Sequence, residues 1–276
     1  MTARRIGLAL GGGGARALAH IGVLKVLVQA EIPIHLISGT SMGAILAAAY
    51  AVGYSPQEME ARALEFSSMR SMMRLVDIHP PRRGLMQGNR VRSYLANLLG
   101  EQRRIEDLRF PLGLNAVDLI SAQEIIFTRG PLLPAVLASM SVPGLFAPVE
   151  MDGYRLVDGG VLNNVPVNIA RQLGADVVIA VDVENALQRS TAAPDARPPV
   201  PMPDLFNQFY HLIMVITVEA TRQRLKESPP DLFILPPIPR EIDVYRGFPR
   251  AREAIAAGEQ AAREALPAIQ TLIRGD

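Results

Sequence analysis

The feature that most constrains the fold of this chain is the alternation of short apolar runs with helical patterns. The first two runs, Arg5–Leu10 and Ile34–Ser38, are followed by helical patterns over Ala15–Gln29 and Ala44–Tyr50. Further predicted strands are Leu112–Leu119, Glu124–Thr128, Tyr154–Val157, Val177–Val183 and Leu232–Leu235, and further predicted helices are Arg90–Leu99, Pro131–Ser139 and Val165–Leu173. Strands that are apolar on both faces need helices on both sides. The pattern therefore predicts a three-layer α/β/α sandwich with a mainly parallel central sheet.

The chain of 276 residues is predicted to form one domain. The chemical motifs lie in 6–183, the five prolines of Ala186–Pro203 predict a long loop, and 204–276 predicts a helical C-terminal part. An apolar stripe from Leu205 to Ile216 allows two interpretations. We favour a core helix packed on the sheet over a helix lying on a membrane surface.

Charge and apolar content restrict the partners. A net charge of +1 argues against a nucleic-acid-binding protein, which would carry a strong basic excess. Six arginines lie between Arg70 and Arg92 among methionines, a pattern that slightly favours a cap region with solvated arginines over contact with anionic lipid. No apolar run reaches the ~18 residues of a membrane span. The first run ends in a glycine tract, unlike a signal peptide. We expect a cytoplasmic protein, with peripheral contact at the inner membrane face as an open alternative.

The pentapeptide Gly39-Thr40-Ser41-Met42-Gly43 fits the pattern G-x-S-x-G and lies between a predicted strand and a predicted helix. In that context a sharp turn exposes the serine hydroxyl above the carboxyl edge of the sheet, and small neighbours let the turn close. The pattern favours Ser41 as a nucleophile. The alternative is a glycine-rich turn in which Ser41 caps the following helix.

A glycine tract, Gly11–Gly14, follows the first strand and precedes Ala15 and Arg16. Successive glycines let backbone N–H groups converge on an anion, which in acyl transfer would be the oxyanion. Arg16 would add positive potential, hold the loop through its guanidinium donors, or form only a surface ion pair. The tract also fits the dinucleotide fingerprint G-x-G-x-x-A, but no acid ends the second strand to bind a ribose.

The choice of a base for Ser41 is narrow. The chain has no cysteine and four histidines, and the two after Ser41, His79 and His211, have no supporting motif. Asp158 ends a predicted strand and precedes two glycines, which allows close approach to a neighbouring loop. Burial would raise its pKa and make it a better base. The alternative is an ordinary Asp-Gly turn.

Together, Gly11–Arg16, Gly39–Gly43 and Asp158–Gly160 resemble the motifs of the patatin-like phospholipase family, close to its bacterial members. The segments Ser139–Pro148 and Asn163–Pro166 resemble the blocks that flank the family's aspartate. Ala17 stands where many members have glycine. The resemblance extends over about 6–183.

The resemblance implies a patatin-like fold and a Ser–Asp dyad without histidine. Ser41 would be the acyl nucleophile and Asp158 the base, and the oxyanion donors would be Gly12, Gly13 and Gly14 with Arg16 beside them. The substrates would be esters of lipids, with no cofactor and no metal. Two other functions stay open: a nucleotide-binding oxidoreductase that uses the glycine tract, and a patatin-like binding or regulatory protein without turnover.

Overall fold

The structure, a computed structural model, describes residues 4–68, 71, 88–185 and 204–274. The strands are β1 (Ile6–Leu10), β2 (Leu36–Gly39), β3 (Leu112–Asp118), β4 (Glu124–Phe127), β5 (Val149–Met151), β6 (Tyr154–Asp158), β7 (Val177–Val181) and β8 (Leu232–Ile234). The helices are α1 (Ala19–Gln29), α2 (Met42–Val52), α3 (Pro56–Glu65), α4 (Asn89–Leu99), α5 (Leu132–Ser139), α6 (Val167–Gln172), α7 (Asp204–Glu227) and α8 (Ala251–Arg274). The predicted segment Ala186–Pro203, His79 and most of the Arg70–Arg92 cluster lie outside the described residues.

The described strands form one sheet in the order β5-β6-β3-β2-β1-β7-β8, and β4 also pairs with β3. The five strands from β3 to β8 along this order are parallel to their neighbours, whereas β4 and β6 run antiparallel to β3 and β5 antiparallel to β6. The predicted α/β sandwich is confirmed. Its parallel part ends at β3, where short β-hairpin connections replace helical crossovers.

Side chains of β1 divide between the two faces of the sheet, as the strand period requires. Leu8 and Leu10 join the large core cluster with α1, α2 and α8, whereas Ala9 joins a smaller cluster with Val167 and Ala170 of α6. Both faces are therefore covered by helices, which makes three layers.

Local sequence signals explain how the helices begin and end. The side chain of Ser55 accepts from the backbone N–H of Glu58, and the Glu58 carboxylate accepts from the backbone N–H of Ser55, a capping box that starts α3. Gly100 ends α4 where its positive φ continues the chain away from the helix. The predicted helix over Ala15–Gln29 begins differently, because residues Gly14–Leu18 form a 3₁₀ turn before α1.

The favoured interpretation of the apolar stripe as a core helix agrees only in part with the side chains that the structure describes. Leu212 and Ile216 are each about half exposed, as is the neighbouring Val215, whereas Ile213 is partly buried. The helix becomes buried further along, at Val218, Thr221 and Leu225. Within the described ranges, none of the helices is long and apolar enough to cross a membrane.

Candidate active site

Ser41 occupies the turn between β2 and α2 in a strained conformation. Its φ of 56° and ψ of −125° lie outside the regions that residues with a side chain normally adopt. The turn closes only because of the flanking glycines: a Cβ at Gly39 would strike the carbonyl of Gly43, and one at Gly43 would strike the carbonyl of Leu10. Although Ser41 is at the N-cap position of α2, its side chain makes no capping hydrogen bond. The hydroxyl is thus held away from the helix.

The sheet register brings Ser41 and Asp158 together. Gly39 of β2 pairs with Leu114 of β3, and Asp158 of β6 pairs with Ala116, two positions further along β3. Because β2 runs parallel to β3 and β6 antiparallel to it, the carboxyl ends of β2 and β6 point toward each other beside β3. The prediction placed Asp158 at the common carboxyl edge of a parallel sheet. The two residues meet instead because β6 runs in the opposite direction.

The contact between the two side chains is a direct hydrogen bond. The Ser41 hydroxyl donates to Asp158 Oδ2 at 2.6 Å, and the backbone N–H of Gly160 donates to Asp158 Oδ1 at 2.7 Å. Burial raises the pKa of Asp158 to about 6, although both hydrogen bonds act to lower it. The carboxylate is therefore ionised at neutral pH, yet it is a stronger base than a carboxylate in water.

The two histidines whose side chains the structure describes, His20 and His35, are engaged elsewhere. Burial lowers the pKa of His20 to about 4, so its ring is neutral at pH 7 and its Nε2–H donates to the carbonyl of Gly11 at 2.7 Å. His35 accepts the backbone N–H of Ile6 at its Nδ1. Neither ring is the hydrogen-bond partner of Ser41.

The glycine tract differs from the predicted set of three donors. The backbone N–H of Gly12 donates to the carbonyl of Asn164 at 3.0 Å, so it does not point to an external oxygen. Within the described part of the chain, the N–H groups of Gly13 and Gly14 make no hydrogen bond. Two of the three predicted donors therefore have no protein acceptor among the described residues. The partner of Gly12 comes from the segment after Asp158, which sequence spacing does not reveal.

Arg16 holds the glycine tract in place. It is buried, its Nε donates to the carbonyl of Ile242 at 2.8 Å, and its guanidinium lies 3.3 Å from a carboxylate oxygen of Glu184. Of the three roles considered for Arg16, loop support fits this geometry. It does not line the cavity described next.

A cavity of about 290 Å³ extends from Ser41 between α2, α3 and α4. Its α2 wall consists of Met42, Ile45, Leu46 and Ala49, spaced as one face of a helix. Aromatic and aliphatic side chains such as Phe66, Tyr94 and Leu95 form the opposite wall. The sequence analysis did not identify this wall, because apolar helical spacing looks the same on a core face and on a cavity face.

A buried serine supports the turn at Ser41. Ser139, fully buried, accepts the backbone N–H of Ser41 at 3.0 Å and so holds the turn. No role was predicted for it.

A Cβ on Gly12 would collide with the side-chain oxygen of Asn164 and contact Ser41, so protein groups occupy the space beside this glycine that a pyrophosphate would need. The dinucleotide interpretation has no support in this geometry.

A sequence model of the patatin-like phospholipase family matches residues 8–171, which include both Ser41 and Asp158. The chain belongs to the patatin-like phospholipase family. It is 35% identical over 288 residues to the uncharacterised NTE family protein Rv2565 of Mycobacterium tuberculosis, a match that covers 99% of this chain and 48% of that protein.

Mammalian members of the family are also similar. Patatin-like phospholipase domain-containing protein 7 of mouse is 38% identical over 187 residues, covering 66% of this chain and 14% of that protein. The chain therefore spans half or less of the length of these relatives. The fold resembles that of VipD from Legionella pneumophila, with a TM-score of 0.50, 14% identity, and coverage of 97% of this chain and 67% of that one.

Proposed function

We propose that this patatin-like protein is a serine acyl hydrolase that cleaves carboxylic esters of lipids through an acyl-enzyme on Ser41. The observation that carries the proposal is the 2.6 Å hydrogen bond from the Ser41 hydroxyl to Asp158, made beside an apolar cavity. A strained nucleophile, a buried base and free backbone donors are the parts that acyl transfer needs.

The first half of the reaction forms the acyl-enzyme. Asp158 Oδ2 takes the proton of the Ser41 hydroxyl while Oγ bonds to the ester carbonyl carbon. The N–H groups of Gly13 and Gly14 bind the oxyanion. When the tetrahedral intermediate collapses, the bond to the alkoxy oxygen breaks, and the alcohol leaves with the proton from Asp158.

The second half regenerates the enzyme. A water molecule gives one proton to Asp158 while the water oxygen bonds to the acyl carbon. Collapse of this second tetrahedral intermediate releases the fatty acid, and Asp158 returns the proton to the Ser41 oxygen. The Gly160 N–H keeps Asp158 oriented through both halves, since it binds the carboxylate oxygen that does not exchange protons.

The cavity supports a lipid substrate. Its walls offer apolar contact to an acyl chain, and a water-excluding wall strengthens the electrostatics at the reacting carbon. Phospholipids, lysophospholipids and simple fatty esters all present an acyl chain next to an ester carbonyl carbon. The exposed face of α7 at Leu212, Val215 and Ile216 agrees with contact at a lipid surface, and a cytoplasmic location stays a prediction.

The test is hydrolysis of fatty esters and lysophospholipids by the wild type, Ser41→Ala and Asp158→Asn. We expect turnover by the wild type and a loss of about 10³-fold or more in both variants. Ser93→Ala and Asp152→Asn, which change an exposed serine and an exposed aspartate, serve as matched controls with full activity. An inactive wild type would favour a binding or regulatory protein without turnover.

A further inference from the structure

A buried polar cluster lies behind the dyad, on the side away from the cavity. It consists of Thr40, Asn115, Glu124 and Asn163, which come from four separate segments of the chain. Thr40, Asn115 and Asn163 are fully buried, and the Glu124 side chain is 7% exposed. Buried polar groups are costly unless they are paired, so the hydrogen bonds of this cluster favour one arrangement, in which Asn163 Oδ1 alone has no partner among the described residues.

Asn115 lies between the two halves of the dyad. It stands on β3 between Leu114, which pairs with the strand leading to Ser41, and Ala116, which pairs with Asp158. Its Oδ1 accepts the hydroxyl of Thr40 at 2.8 Å, and a Cβ on Gly159 would collide with its side chain. Asn115 thus contacts the residue before the nucleophile and the residue after the base.

Glu124 helps to set the orientation of the Asn115 amide. Asn115 Nδ2 donates to Glu124 Oε1 at 2.9 Å, and Asn115 Oδ1 accepts from the Thr40 hydroxyl. The same Oε1 accepts Nδ2 of Asn163 at 2.7 Å, and the backbone carbonyl of Asn163 accepts Nδ2 of Asn115 at 3.0 Å. One carboxylate therefore orders both amides.

The charge of Glu124 is partly compensated. Its Oε2 lies 3.6 Å from the guanidinium of Arg224 on α7, a side chain that is 39% exposed. Glu124 thus has two amide donors on one carboxylate oxygen and a guanidinium near the other.

We propose that Glu124 is a positioning residue for the Ser41–Asp158 dyad, acting through Asn115 and Asn163. The inference rests on the proposed acyl-hydrolase function. Without the carboxylate, Asn115 Nδ2 keeps only the backbone carbonyls of Asn163 and Gly159 as acceptors, and the Asn163 amide loses its bond to Glu124, so the cluster behind the dyad is held less firmly. The turns at Ser41 and Asp158 then lose their common support. Displacement of reacting groups by about 1 Å can cost about 100-fold in rate.

The experiment compares Glu124→Leu, which removes both hydrogen bonds, with Glu124→Gln, whose amide oxygen can accept both. We expect Glu124→Leu to lower kcat about 10- to 100-fold with KM within about twofold, and Glu124→Gln to recover most of that loss. Glu150→Gln makes the same carboxylate-to-amide change at an exposed position, where the partner is Arg155, and should leave kcat unchanged. The phosphonylation rate of Ser41 by a fluorophosphonate gives a second readout that does not depend on lipid binding.

Three results would overturn the inference while the wild type is active: a folded Glu124→Leu with wild-type kcat, a Glu124→Gln as impaired as Glu124→Leu, or a loss confined to KM. If Glu124→Leu does not fold, Thr40→Val removes the hydroxyl that donates to Asn115 Oδ1 and to the Asn163 carbonyl and should lower kcat about tenfold, with Thr40→Ser restoring it. A Thr40→Val protein with wild-type kcat would likewise overturn it. A wild type that neither hydrolyses esters nor reacts with the fluorophosphonate overturns the proposed function, and this inference with it.

Discussion

The chemistry proposed for this chain depends on how the protein changes the pKa of one carboxyl group, that of Asp158. Asp158 is fully buried against the Ser41 hydroxyl, and desolvation outweighs the two hydrogen bonds that favour its ionised form. A pKa of about 6 brings the carboxylate nearer to the basicity that a histidine supplies in other serine hydrolases. Among the histidine rings that the structure describes, His20 and His35, neither is in hydrogen-bonding contact with Ser41.

The raised pKa predicts the pH dependence of activity and of stability. Since only ionised Asp158 can take the proton, kcat/KM should fall as pH decreases through about 6. The native state holds this proton more tightly than the unfolded state, whose carboxyl titrates near 3.8. The contribution of Asp158 to stability is therefore fully present below about pH 4 and is lost as pH rises through about 6.

Asp158→Asn removes this titration. We expect the variant to be more stable than the wild type above pH 6, by up to about 3 kcal/mol, and the difference to shrink below pH 4. Urea unfolding at several pH values measures it, with Asp152→Asn as the control. A difference that does not change with pH would contradict the assignment of the raised pKa to Asp158.

At the residue scale, motifs identified Ser41 and Asp158 because each lies beside small residues in a recognisable order. They did not identify Asn115, Glu124 or Ser139, since an isolated polar residue in a strand or helix has no local signature. The roles of Gly12 and Arg16 also required the structure, because their partners, Asn164 and Glu184, are about 150 or more residues away along the chain.

At the scale of elements, α2 forms both the base of the nucleophile turn and one wall of the cavity. Ala49 lies eight residues after Ser41 on this helix, which at 1.5 Å per residue places it about 12 Å further along. Hydrophobic periodicity predicted most strands and the helices α1, α2, α4, α5 and α6 to within a few residues, but it missed the short β5 and gave no bounds for α3 and α8, and the stripe on α7 ended eleven residues before the helix does. It could not predict that β6 runs antiparallel, because periodicity does not encode strand direction.

Ala49→Phe should shorten the cavity. We expect kcat/KM for a long-chain ester such as nitrophenyl dodecanoate to fall about tenfold or more, with nitrophenyl acetate within about twofold of wild type. Val28→Phe adds the same ring at an exposed position on α1 and should change neither rate. Equal loss on both esters would show that Ala49 does not limit chain length.

At the scale of the whole molecule, the C-terminal helix α8 closes the core over α1. The two helices approach so closely that a Cβ on Gly22 would strike the carbonyl of Ile255, and one on Gly258 would strike the carbonyl of Ala19. The C-terminal segment thus packs on the same core as the motif-bearing part, and the single domain stays a prediction. The apolar face of α8, including Ile255, Ala262 and Ile269, was readable from its helical period.

Gly258→Ala tests this packing. In an exposed helix position the change from glycine to alanine stabilises by about 1 kcal/mol, but here we expect a loss of about 1–3 kcal/mol in the free energy of unfolding. Ala256→Gly on the exposed face of α8 measures how much the difference in helix propensity between alanine and glycine changes the free energy of unfolding, without the contact to α1. A stabilised Gly258→Ala would mean that α1 and α8 do not pack this closely.

The central claim is that Ser41 is the nucleophile and that Asp158, without a histidine, activates it. The most direct measurement is covalent labelling by a fluorophosphonate, with the adduct mapped by peptide mass. We predict one adduct, on Ser41, absent in Ser41→Ala and formed about 100-fold or more slowly in Asp158→Asn, while His79→Ala and His211→Ala label at the wild-type rate. Labelling that persists in Ser41→Ala, or a histidine variant as slow as Asp158→Asn, would contradict the account.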